Sequence, residues 1–213
     1  IIGSQFSPVK SLATLPMALS IVGIAIFAIF AAKVMSIIGR RAGFIFASII
    51  SSLSSLLAAY SIIIESFILF NFACFLLGAG VAFSHQYRFA AVETVKKDMA
   101  PKAISIILLA GIGSAFIGPN VANITKDIIA EHLYAGSYIA LAALTLTSII
   151  FLLFYKDGHK PNRINKKTSR SYLELISQPR FLQALVASAF AYAVMSFLMT
   201  ATPISMHVME KIS

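Results

Sequence analysis

Charge is what this sequence lacks. Only 12% of its 213 residues are Asp, Glu, Lys or Arg, while 59% are hydrophobic. Soluble domains carry about 25% charged residues. Half that supply does not cover the surface of a soluble protein of this size, and a mean hydropathy of +0.88 agrees. Cysteine is nearly absent. The single one, Cys74, excludes an internal disulfide and a cysteine-rich metal cluster. It lies inside an apolar run and reads as a small buried residue. The opening IIGSQFSPVK lacks the basic region and cleavage site of a signal peptide.

Missing motifs narrow the chemistry. No G-x-x-x-x-G-K-[ST] stretch occurs, so the chain carries no ATP-driven pump signature of its own. No H-E-x-x-H occurs, and His85, His132, His159 and His207 stand far apart, so no metal or other cofactor is expected. Gly111-Ile-Gly113-Ser114 loosely looks like a serine-protease loop, but no histidine lies at comparable depth. An intramembrane enzyme is therefore a minor alternative. Strand-period alternation is also missing, which weighs against a membrane barrel.

Long oily runs are what is present. A helix needs about 20 apolar residues to cross a hydrocarbon core of roughly 30 Å. Six stretches qualify, near 12–32, 43–64, 66–87, 103–125, 135–155 and 181–205. Each must be helical throughout, because lipid offers no partner for an open backbone. The fold class is all-α, a polytopic transmembrane helix bundle in contact with the lipid bilayer.

The formal net charge is +9. A basic balance can signal phosphate binding, but here the charge collects in alternate short loops, so no nucleic acid is expected. The first loop holds Lys33, Arg40 and Arg41. The third holds Arg88, Lys96, Lys97 and Lys102. The fifth holds seven more, from Lys156 to Arg180. Of the 17 basic residues only Lys10, Lys126 and Lys211 fall on the other side. Basic loops stay cytoplasmic, which puts both chain ends outside. An outside start with no signal is most simply repaired by one span upstream. The chain then reads as a fragment of a longer protein.

Three segments follow. Residues 1–155 form a five-helix bundle. Residues 156–180 form a basic cytoplasmic loop, and residues 181–213 carry one more span. Within the loop, Ser171 and Glu174 make a capping-box pattern. Tyr172, Leu173, Leu175 and Ile176 give it an apolar face and Pro179 stops it, as in a short amphipathic helix on the membrane surface; an irregular linker is the alternative.

This layout resembles the major facilitator superfamily, whose transporters have twelve helices in two halves joined by a long cytoplasmic loop. The visible spans correspond to its helices two to seven, with the first missing. The family's loop between helices two and three looks like G-x-x-x-D-x-x-G-R-R/K. Here AKVMSIIGRR, residues 32–41, matches at Gly39, Arg40 and Arg41, with Ala32 for the leading glycine and Ser36 for the acid. In the family that acid belongs to a charge network latching the two halves. Glu93 or Asp98 is the candidate replacement, and either should then lie near Arg40 or Arg41.

The family's fifth-helix pattern, most typical of exporters, is G-x-x-x-G-P-x-x-G-G. GSAFIGPNVAN, residues 113–123, matches at Gly118 and Pro119. Proline removes a backbone donor there, and small neighbours allow close helix packing. In the fourth helix the family's arginine, tied to proton coupling, is replaced by Cys74. The resemblance also implies a bacterial inner-membrane location.

Candidates for substrate or proton contact are few. His85, Gln86, Tyr87 and Arg88, then Glu93, cluster near an inner interface, with His85 roughly 28 Å along its span. Histidine titrates near neutrality, which suits it to a coupling proton; Arg88 also fits a plain interface anchor. Asn120 and Asn123 offer amides to a substrate or a neighbouring helix. Tyr192, Met199 and Thr200, with Met195 and Ser196, share faces that suit a cavity wall, or plain packing. The serines 51, 52, 54 and 55 read as helix packing. The function expected is secondary transport of a small organic solute by alternating access, not enzymatic, with no protein partner. A truncated, non-transporting membrane protein is the other alternative.

Overall fold

In a computed structural model, the described residues are 12–155 and 177–210, and they are almost wholly helical. In chain order the helices are α1 (Leu15–Ile38), α2 (Arg40–Ile63), α3 (Phe67–Ser84), α4 (Tyr87–Thr94), α5 (Ala100–Thr125), α6 (Ala135–Phe154) and α7 (Pro179–Glu210). A 3-10 turn, Lys97–Met99, leads into α5. Six stretches are long and apolar enough to cross a membrane, with α3 and α4 counting as one. The helices α1–α6 belong to one compact unit and α7 to another. The surface amphipathic helix expected at 171–176 lies outside the described residues.

The first loop differs from expectation. The charged and polar stretch from Lys33 to Ser36 stays helical, so α1 runs on to Ile38 and the loop shrinks to Gly39. The physical reason is backbone demand. Each further turn of helix satisfies its own amides, and Ser36 returns its hydroxyl to the Lys33 carbonyl at 2.7 Å. Gly39 then reverses the chain with φ 89° and ψ 165°. That region is essentially reserved for glycine. Its N–H donates to the Met35 carbonyl at 3.1 Å, and its own carbonyl accepts from Gly43 at 3.2 Å. One residue therefore ends α1 and begins α2.

Small residues set the helix spacing. At the α1–α3 crossing, a Cβ added to Gly23 would collide with the Phe75 carbonyl, and one added to Gly78 with the Ser20 carbonyl. Lipid tails give helices no hydrophobic reason to associate, so this close backbone approach and its dispersion contacts carry the packing. Among the serines of α2, Ser48, Ser52, Ser54, Ser55 and Ser61 are buried and Ser51 is half-buried. Ser54 and Ser55 bond back to the carbonyls of Ile50 and Ser51. Ser48 shares a 2.9 Å hydrogen bond with Ser148 of α6, and Ser52 donates to the Ala142 carbonyl at 3.3 Å.

Two buried clusters result. One gathers Met35, Phe44, Phe83, Ala90 and Leu152 at the Gly39 end of the bundle. There Phe44 stacks on Tyr87 at 4.2 Å and 17°, with Tyr155 edge-on to Phe44. The other gathers Ala58, Ile62, Phe70, Cys74 and Ala135. In contrast, no residue of α5 is buried among the described residues.

Candidate functional site

The turn at Gly39 places Arg40 in the first turn of α2. That is an awkward place for a cation, because a helix N-terminus carries the positive end of the macrodipole, and α2 has no acid in its first turn. The counter-charge arrives from another element. The span that begins as α3 breaks at His85 and Gln86, then resumes as the eight-residue α4. The break carries Glu93 to Arg40. Arg40 Nε donates to Glu93 Oε2 at 2.9 Å, and Nη2 to Oε1 at 2.5 Å. Both carboxylate oxygens are engaged, the forked geometry that a guanidinium is shaped for. Nη1 adds a 3.4 Å hydrogen bond to Gln86 Oε1 and a 3.9 Å contact to Met35 Sδ. Arg40 is thus tied at once to the end of α1, to the α3–α4 break and to α4.

Exposure grades across the pair. The Arg40 side chain is 22% exposed and that of Glu93 is 49%. The arginine is seated in the bundle, and the carboxylate meets it from the solvent side. Ser36, at the position of the family's acid, is exposed and satisfied within its own helix. Asp98 is exposed in the 3-10 turn and forms no ion pair among the described residues. Arg41 is half-buried beside Arg40. Gln86 and Met35 were not legible as partners, since nothing in their local spacing points at residue 40.

The other candidate residues do not converge on one point. His85 caps the end of α3 and is exposed, as is Arg88 one turn later. Asn120 returns its amide to the Phe116 carbonyl at 2.7 Å, and Asn123 is exposed. Pro119 sits inside a continuous α5. The close packing expected around Gly118 is not made among the described residues: a Cβ added there would meet nothing within 4 Å. The reason is that α5 touches α6 at its last turn, where Gly136 abuts the Thr125 carbonyl, and the two helices have already parted at Gly118. Tyr192 and Met199 are exposed on α7, and Thr200 lies on the same helix. Cys74, at the position of the family's arginine, is buried in the cluster against which Tyr138 of α6 packs. Among the described residues no group of His, Cys, Asp and Glu is arranged to hold a metal ion.

The family model described as "Major Facilitator Superfamily" matches residues 1–210. A riboflavin transporter, RfnT, of Brucella anthropi is 32% identical over 209 residues, covering 97% of this chain and 52% of that protein. Two uncharacterized MFS-type transporters of Bacillus subtilis are each 26% identical. YddS covers 92% of this chain and 49% of its own length, and YdeG covers 74% and 38%. The chain thus spans about half the length of the first curated relatives it matches. No solved structure matches it. These relatives are transporters, not enzymes. With six membrane-length helices and a family match over nearly its whole length, this integral membrane chain belongs to the Major Facilitator Superfamily.

Proposed function

We propose that a transporter containing this chain moves an uncharged, flavin-type solute across a bacterial inner membrane by alternating access. The observation that carries this reading is the 32% identity with a riboflavin transporter, sustained over 97% of the chain. The distribution of charge supports it. In the described spans, Asp, Glu, Lys and Arg lie at or near the helix ends, and the long interiors carry none. A charged solute at mid-membrane would call for a fixed counter-charge. An uncharged ring with polar edges is better served by hydroxyls, amides and aromatic faces.

In this reading the Gly39 end of the bundle is cytoplasmic, as the basic loops favour. The Arg40–Glu93 pair is a clasp at that end, holding the α1–α2 turn on α4. It takes over locally the role of the acid absent at Ser36. Glu93 and His85 are the groups that would carry a coupling proton. Protonating Glu93 removes its charge and loosens its hold on Arg40, which links proton arrival to movement of α4.

The test is uptake. A bacterium unable to make riboflavin, expressing the complete reading frame that encodes this chain, should grow on low riboflavin and accumulate the labelled vitamin. Growth and uptake no better than an empty vector would overturn the reading.

A further inference from the structure

The third span changes pitch before it ends. The Gln86 N–H closes α3 on the Phe83 carbonyl at 2.9 Å, three residues back rather than four. The Gln86 carbonyl then opens α4, accepting from Phe89 at 3.1 Å and Ala90 at 3.0 Å. Between these bonds, the N–H groups of Tyr87 and Arg88 reach no backbone carbonyl among the described residues, and the Gln86 side chain does not cap them. Just upstream, Ser84 returns its hydroxyl to the Gly80 carbonyl at 3.0 Å, a back-bond that bends helices. A short 3-10 stretch inside a helix marks a hinge or a sequence under strain.

The local sequence does not impose this joint. Residues 84–94, SHQYRFAAVET, contain neither proline nor glycine. His85 and Gln86 keep right-handed helical dihedrals, φ/ψ −60°/−19° and −78°/−12°. A continuous helix to Thr94 is therefore open to the same residues, and it would give Tyr87 and Arg88 the carbonyls of Phe83 and Ser84. What holds the broken form comes from α2. Phe44 stacks on Tyr87 at the start of α4, and Arg40, one turn earlier on α2, takes Gln86 at the joint and Glu93 near the end of α4. Gln86, Ala90 and Glu93 share one face by their spacing, and Ala90 is buried in the cluster of Phe44 and Met35. The broken form gives up two ladder bonds and gains one aromatic stack and one half-exposed ion pair. These contributions are of the same order, so the two forms lie close in energy.

We propose that Ser84, His85 and Gln86 form a hinge at which the third span switches between this docked form and a continuous helix, with Arg40 as the latch and Phe44 as the seat for Tyr87. A 3-10 helix advances about 120° per residue and an α-helix about 100°. Relaxing His85 and Gln86 to α geometry thus turns α4 by roughly 40° about its own axis. That turn carries Glu93 off Arg40 and Tyr87 off Phe44 together. The link to the transport cycle rests on the clasp reading above, whereas the hinge is tested without any substrate.

The experiment is amide hydrogen exchange, resolved to single residues by mass spectrometry, on the complete protein containing this chain in lipid nanodiscs. In the wild type the Tyr87 and Arg88 amides should exchange fast. Glu93→Gln opens the latch, and the span should then close its ladder, slowing these two amides on the order of tenfold. Ser84→Ala removes the back-bond, leaves every latch contact in place and should slow the same two amides. It keeps the test decisive where Glu93→Gln loosens the bundle. Ile68→Ala, at an exposed position in the first turn of α3, should exchange like the wild type. Three results overturn the proposal. One is slow exchange of Tyr87 and Arg88 in the wild type, which would mean a continuous helix throughout. Another is unchanged exchange of both amides in Glu93→Gln and Ser84→Ala, which would make the joint a fixed boundary. The third is faster exchange from Phe89 to Thr94 while Tyr87 and Arg88 stay fast, which is fraying of α4 and not a hinge. Riboflavin uptake reads the transport proposal separately. Slowed amides without uptake sink the transport reading alone, and uptake with unchanged amides sinks the hinge alone.

Discussion

The guanidinium of Arg40 and the carboxylate of Glu93 meet as a forked pair across 53 positions of sequence. The arginine opens α2 and the glutamate closes α4, so the pair ties a helix start to a helix end. Glu93 thereby relieves a cation that sits at the unfavourable pole of its own helix.

Because the glutamate is half exposed, the pair's contribution to stability is modest. A double-mutant cycle with Arg40→Ala and Glu93→Ala should give a coupling of about 1 kcal/mol or less. Its effect on transport should be larger, if the clasp acts as proposed. Glu93→Ala should lower riboflavin uptake severalfold at unchanged membrane abundance, and Arg40→Lys should not restore the forked geometry. The reversed pair, Arg40→Glu with Glu93→Arg, should recover part of the loss. Wild-type uptake by Glu93→Ala would remove the clasp from the mechanism.

Gly39 and Gly113 make opposite demands on a methyl group. Gly39 holds φ 89° and ψ 165°, where an alanine is strained by about 1–3 kcal/mol. Gly113 lies in a helix with nothing within 4 Å of an added Cβ. Alanine there should be neutral or gain up to about 1 kcal/mol of helix propensity. Denaturation of both variants in one detergent should therefore shift in opposite directions, or shift only for Gly39→Ala. A stable Gly39→Ala protein would contradict the one-residue turn.

Much of this architecture was legible in the sequence, because a membrane span announces itself by composition. All six spans lie where the oily runs are. Their ends were less legible. The drop in hydropathy from Lys33 to Ser36 reads as a loop, yet the backbone gains more by staying helical until Gly39. The break at His85 and Gln86 left no comparable mark, since polar residues also occur unbroken at helix ends. The pairing of Arg40 with Glu93 could be posed only as a question, because partners on different helices have no spacing rule. Gly118 reads in the sequence as a motif glycine suited to close packing, whereas its surroundings among the described residues are open.

The α1–α3 crossing gives a third test. Gly23 and Gly78 face each other so closely that a methyl on either meets backbone, which does not yield as a side chain does. Gly23→Ala and Gly78→Ala should each destabilise the bundle by about 1–3 kcal/mol, the usual cost of overpacking. The two residues share one contact, so the double variant should lose less than the sum of the singles. Full additivity in a denaturant titration would show that they act apart.

Orientation gives the last test, and it follows from charge alone. The segments holding Arg40 and Arg41, Arg88 to Lys102, and Lys156 to Arg180 alternate with segments that hold Glu65 alone or the single cation Lys126 beside Asp127 and Glu131. Retention of Lys and Arg on the cytoplasmic side sets the direction of every span between them. A phosphatase reporter, active only outside, should be silent when fused within 160–167 and active when fused within 130–134. A fluorescent reporter that matures only in the cytoplasm should give the reverse. The same alternation makes reversal costly, since turning the bundle over would carry three basic segments across the membrane. Active phosphatase at 160–167 would invert the map, placing the Arg40–Glu93 clasp outside and removing the cytoplasmic gate from the proposed cycle.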